Sequence, residues 1–509
     1  MNILLFIKLY NMVNLMKILI LFLFGLILPA SKEIYATIQM LDQIMIIDIE
    51  NLQIDQSINT EFGQEIECPN VTNQADCTSY DNCDWMMDMC VESSTDNCID
   101  YTMEMNCNMA SGCEWMMGMC MQSTMDGSMN TPHFIVLDEL NGYWFITAIA
   151  SGFIAQYSLL DNTFIDSYFV GDSPALLAVD PDNQIIYCSR MMPMNGMNEM
   201  MPTSESNVIQ ALNYSSMGLS QTLNQEYIID SPAPHGLAIN ADGTEVYTAS
   251  NTADWIYKIN IQTNEILGVV MDETINNTPD LTTQRLKPIQ CMSSGNRLFV
   301  SCSAGTWMDP FSGQSTIIEG KLQMWDSDLM ILLDSIDLGE HSSPWHIVKS
   351  PIDEIVYVVL GGDNLYDTEG LASISYVNDE LSINWITNNA FFDTLHGVDV
   401  SSDGQAIYVS GRGDGNIHVF DNNGNYIDNI FLGQMSMLGG IAVEKRGLPI
   451  LGDINNNLNI NISDIIGLVS IVLNPMMGHP YQVYASDYNQ NELINIFDII
   501  LLVESVLSN

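Results

Sequence analysis

Four of the seven histidines, His133, His235, His346 and His396, fall at one position of a recurring phrase. The clearest copies run from His235 to Tyr247 and from His396 to Tyr408. Each reads as His-Gly, a small apolar strand, an Asp-Gly turn and an aromatic strand. Imidazole is the commonest side-chain metal ligand and suits copper, zinc and iron. Four imidazoles brought to one place make a candidate ligand or metal site. The plainer reading is that each histidine bonds backbone where its strand begins.

A second chemistry lies in the last sixty residues. Two twelve-residue loops, Asp453 to Asp464 and Asp487 to Asp498, recur thirty-four residues apart. The first offers Asp453, Asn455, Asn457, Asn459, Asn461 and Asp464. The second offers Asp487, Asn489, Asn491, Leu493, Asn495 and Asp498. Oxygen side chains stand at positions 1, 3, 5, 9 and 12, and position 7, Asn459 or Leu493, gives its carbonyl. This spacing predicts two Ca2+ sites. Leu458 and Glu492 stand at position 6, where the sharp turn prefers Gly, and Asn at position 5 lowers the charge. Each loop precedes an apolar helical run, Ile465 to Leu473 and Ile499 to Leu507. The competing reading is an Asn-rich turn before an amphipathic helix.

Methionine and cysteine give two further cues. The chain has 33 methionines. Met191, Met194, Met197, Met200 and Met201 sit in one polar loop whose spacing suits copper(I), against adaptable core filling. Cys68, Cys77, Cys83 and Cys90 repeat their spacing in Cys98, Cys107, Cys113 and Cys120. Two disulfides per copy are expected in an exported chain, with zinc as the rival, and the pairing stays open. Of the other three cysteines, Cys291 and Cys302 could bridge adjacent strands, which leaves Cys188 as a free thiol. No Gly-x-Ser-x-Gly elbow, His-Glu-x-x-His, phosphate loop or haem motif occurs.

The elements that position these residues are short strands. From Ile44 to Arg446, outside residues 59–130, the histidine phrase recurs with weaker copies at His133, Ala175, Lys287 and His346. A repeat of this kind, built of four strands, marks a β-propeller. Six blades are complete. The seventh is expected from Gly440–Glu444 as inner strand with Met45–Glu50 and Ile54–Ile58 as outer strands, which removes exposed edges. The blades resemble the YVTN-type and quinoprotein-like propellers. Lactonase-type propellers share the histidine phrase, though their acidic metal cluster is not assembled here. The calcium loops resemble a type I dockerin module, which implies docking to a cohesin domain. The second cysteine copy is loosely similar to a plexin-semaphorin-integrin knot.

Lys17 before the apolar run Ile18–Leu28, with small residues near Ala36, reads as a secretory signal peptide. The run is short for a membrane span. Thirteen basic against 63 acidic residues give a net charge of −50. That excludes nucleic acid and anionic membranes as partners. The expected order is a signal peptide (1–36), closing strands (37–58), duplicated Cys-rich modules (59–130), a propeller (131–447) and a dockerin-like module (448–509). The expected class is mostly β, a seven-bladed propeller with a disulfide-rich insert and a small α-helical calcium module. The expected role is a secreted or cell-surface binding or scaffold protein. It would hold an unknown ligand at its channel and be tethered to a cohesin-bearing scaffold or surface anchor, with a polysaccharide-degrading assembly as one expected setting. The alternative is an enzyme, a copper-dependent oxidoreductase or a lactonase-like hydrolase using the histidine ring.

Overall fold

The computed structural model describes residues 32–60, 130–191 and 207–508, apart from a few loop positions, and four short strands between residues 83 and 122. Its centre is a seven-bladed β-propeller. The innermost strands are Pro132–Asp138, Pro174–Asp180, Pro234–Ile239, Pro288–Ser294, Pro344–Lys349, Leu395–Val400 and Leu438–Val443. They belong to blades one to seven in that order. Five of them begin with proline, which the first residue of a strand tolerates because its N–H is not needed in the ladder.

Second strands such as Tyr143–Ala148 and Ile355–Leu360 are buried nearly throughout and read as near-continuous apolar runs. Sheets covered on both faces demand such runs. The outermost strands, such as Gln53–Asn59 and Ser382–Asn388, face solvent and are mostly polar. The Asp-Gly turns of the repeat place Gly243 and Gly404 at φ of 67° and 70°, a region glycine enters without steric cost.

Blade seven is closed from both ends of the chain. Its order is Gln53–Asn59, Gln43–Asp48, Glu33–Ile38 and Leu438–Val443. Glu33–Ile38 pairs antiparallel with Leu438–Val443, Tyr35 opposite Ala442. Tyr35 and Ala36, inside the segment expected as a signal peptide, are fully buried in this strand. Blade four carries an extra hairpin, Gly305–Met308 and Ser315–Ile318, between its second and third strands.

The cysteine repeat appears as two matching hairpins, Cys83–Met86 with Met89–Glu92 and Cys113–Met116 with Met119–Gln122. Cys83, Cys90, Cys113 and Cys120 lie on these strands, whose backbone alone is described, and Cys68, Cys77, Cys98 and Cys107 lie outside the described residues, so the expected disulfides fall outside what is described. The expected Cys291–Cys302 bridge is absent. Cys291 lies opposite Val300 and Cys302 opposite Pro288, so both remain buried thiols, as does Cys188. Burial pushes the Cys188 thiol up to about 12, which makes it inert at neutral pH.

Three helices follow the propeller: α1 (Ile462–Leu473), α2 (Pro480–Ser486) and α3 (Ile496–Ser508). Asn461 and Asp464 form a capping box on α1. Ile454, Leu468, Ile471, Ala485 and Leu502 make a small core between the helices. Among the described residues no helix is long and apolar enough to cross a membrane.

Candidate functional site at the channel mouth

Each histidine of the repeat sits where its inner strand slips register. The pairing of inner to second strand shifts between Pro132 and Phe134, Pro234 and Gly236, Pro344 and Ile347, and Leu395 and Val398. A bulge leaves one residue unpaired and re-aims its side chain. Here the re-aimed residues are His133, His235, His346 and His396, all at the end of the channel where the inner strands begin.

The bulges are held by hydroxyls that sequence reading missed. Ser410 Oγ accepts the Gly397 amide at 2.7 Å and donates to the Gly439 carbonyl of the next blade at 2.7 Å. Ser189 does the same between Leu176 N and His235 O, at 2.9 and 2.8 Å. Thr147 links Phe134 N to Ala175 O, and Ser301 links Gln290 N to Trp345 O. One side chain thus satisfies the bulge amide and joins two blades. The signal was a Ser or Thr near the end of six of the seven second strands, invisible among ordinary β-strand hydroxyls.

Three imidazoles come together. His133 and His346 both meet His396 edge-on, at centroid distances of 5.3 and 4.7 Å. His235 instead turns Nδ1 to the Ile289 carbonyl at 2.6 Å. The Gln39 amide lies 2.6 Å from His133 Nδ1. With that amide donating, the His133 proton sits on Nε2. His396 is bonded to the Gly439 backbone, which leaves Nδ1 as a lone pair. His133 Nε2, His346 Nε2 and His396 Nδ1 are buried without a hydrogen-bond partner. All four rings are 1–4% exposed.

Burial is the main force on their protonation. It holds His133 and His396 well below the usual imidazole range, and Arg412 and neighbouring imidazoles add to the effect. His346 is lowered by burial, then by His235, to about 3. The cluster is therefore neutral at ordinary pH, beside the Arg412 cation. Trp345 lies tilted 5.3 Å from His396, with its indole Nε1 also unpartnered.

Among the described residues, no group of three or more His, Cys, Asp or Glu side chains is placed to hold a metal ion. The imidazole cluster does not fit copper as it stands. Met191 packs against the apolar core of blades two and three, while Met194, Met197, Met200 and Met201 lie outside the described residues.

At their ligand positions the C-terminal loops have only two carboxylates each, the other oxygens there being Asn and backbone. Asp453 accepts the amides of Asn457 and Leu458 at 3.0 and 2.6 Å. Asp464 accepts those of Ile454, Asn455 and Asn461. In the second loop Asp498 accepts Asn489 N and Asn495 N, and Asp487 accepts Asn491 N. Asp453, Asp464 and Asp498 are fully buried and form no ion pair among the described residues. Leu458 is forced to φ 67° at position 6, the turn that a calcium loop requires there. The donor set fits Ca2+.

No protein-family model matches the chain, and no curated protein matches it. Solved structures share the architecture. A candidate 6-phosphogluconolactonase of Bacteroides fragilis aligns with a TM-score of 0.50 at 10% identity, over 81% of this chain and 98% of that one. Virginiamycin B lyase of Staphylococcus aureus aligns at 0.44 and 14%, over 62% and 92%. The dihydro-heme d1 dehydrogenase NirN aligns at 0.44 and 9%, over 81% and 74%. At such identities the likeness shows the propeller fold alone.

Proposed function

We propose that the protein is a lactonase-like hydrolase that opens a small uncharged cyclic ester at the channel mouth. The observation that supports this is the cluster of three buried, neutral imidazoles, each with an unpartnered ring nitrogen. His396 Nδ1 would take a proton from water as the water attacks the ring carbonyl. Arg412 and the His133 Nε2–H would meet the oxygen on which negative charge develops. A net charge of −50 disfavours an anionic substrate, hence an uncharged lactone. The fold likeness to a candidate lactonase shows that the same architecture can be aligned over most of both chains and supplies no residue roles. The test is acid release from δ-gluconolactone and a panel of neutral lactones in a pH-stat. The expected result is acceleration over buffer that varies little from about pH 5 to 8 and falls on the order of 100-fold in His396→Gln. No acceleration with any lactone would sink the enzyme reading.

The second reading, a binding or scaffold protein, is supported by how nearly sealed the imidazoles are and by the C-terminal helices. Ile462, Ile466 and Leu473 on α1 and Ile496, Ile500 and Leu507 on α3 are exposed at equivalent positions. They suit docking to a cohesin-bearing scaffold or surface anchor. One Ca2+ per loop would neutralise carboxylates that are costly to bury alone. Elemental analysis should find about two calcium per chain, and chelation should lower the melting temperature of the helical signal. A calcium-free protein with an unchanged melt would remove this part of the reading.

A further inference from the structure

A cavity of about 650 Å³ opens on the mouth face between blades five and six. Four carboxylates line it, Asp367, Glu369, Asp393 and Asp414, and no lysine or arginine does. Glu369 is 2% exposed, and its Oε1 has no hydrogen-bond partner. A buried carboxylate oxygen left unpaired in a native structure calls for a missing partner. Burial, then the charges of Asp393, Asp367 and Asp363, holds its pKa above the usual carboxylate range. A cation would relieve that cost.

The remaining wall is aromatic. Phe391 and Phe431 line the cavity and are half exposed, at 49% and 58%. Phe392 beneath them packs edge-on against His418 at 4.7 Å. His418 Nε2 lies 3.0 Å from Asp414 Oδ2 and fixes that carboxylate. Gly413 leaves the floor open, since a Cβ there would meet the Asp393 carboxylate. Carboxylates facing aromatic rings suit a charge carried on an apolar body. The carboxylates are not arranged to hold a bare metal ion.

We propose that this cavity binds an organic cation, an ammonium or guanidinium group on an apolar body. The site is independent of the lactone reading, because none of its residues belongs to the imidazole cluster.

The experiment is calorimetric titration of the full chain with benzyltrimethylammonium at constant ionic strength, in wild type, Glu369→Gln and Phe391→Ala. Saturable binding at one equivalent is expected, weakened about tenfold or more in Glu369→Gln by loss of the charge. Phe391→Ala should weaken it by a smaller factor. Phe391 is half exposed, so that variant remains a readout if Glu369→Gln melts early. Absence of saturable binding, or equal binding by both variants, overturns the proposal. So does displacement of the probe by equimolar calcium, which would make the cavity a metal site.

Discussion

Ser410 shows how much of this propeller rests on single hydroxyls. It meets a bulge amide in its own blade and a carbonyl in the next, so removing it strands two buried backbone groups. Ser410→Ala should lower stability by roughly 1–3 kcal/mol, read as a shift in the urea midpoint with an unchanged slope. An unchanged midpoint would mean water replaces the hydroxyl. The histidines were legible because the repeat places them in register. The hydroxyls were not, because Ser and Thr are common in any strand and their role depends on a bulge one strand away. Glu369 was equally hidden, one acid among 63, distinguished only by an oxygen that the fold leaves unpaired. The disulfide expected between Cys291 and Cys302 failed for a related reason. Proximity in adjacent strands was readable, but the register that separates the two thiols was not.

At the level of elements, the C-terminal helices are docked on the propeller. Tyr481 of α2 is buried in the core shared with Tyr35, Trp144 and Ala442. Its ring lies over Gly142, where a Cβ would come within 2.6 Å, and its hydroxyl donates to Glu444 at 3.2 Å. Burial, then Glu139 and Glu33, raises the Glu444 carboxyl to about 7. Asn456 of the first loop donates to the carbonyls of Glu139 and Leu140. Tyr481→Ala, which deletes a buried aromatic, should cost about 3–5 kcal/mol of local stability. The expected readout is faster hydrogen exchange in α2 and proteolysis near residue 450, with protection in blades two to five unchanged. Uniform loss of protection would mean that helices and propeller unfold as one unit. The duplicated loops and the two helices after them were plain in the sequence. The short α2 and its seat were not, since one tyrosine after a proline carries no periodicity.

For the molecule as a whole, the helices sit at the turn where strand one of the first blade ends, Asp138 to Tyr143, and the imidazoles lie where inner strands begin. The two candidate sites thus occupy opposite faces, and docking at one leaves the other open. The propeller repeat made the blade count readable from sequence, while the strand Glu33–Ile38 was hidden by the apolar run Ile18–Leu28 that precedes it. That strand also sets a timetable. Its inner edge is completed only by a segment about 400 residues further along. At 5–20 residues per second of synthesis, the gap lasts roughly 20–80 s. During that interval three paired strands from the start of the chain present a bare edge, open to any extended chain nearby. The ring therefore closes only after every other blade has been made, and a ribosome that stalls before Leu438 leaves behind an adhesive fragment.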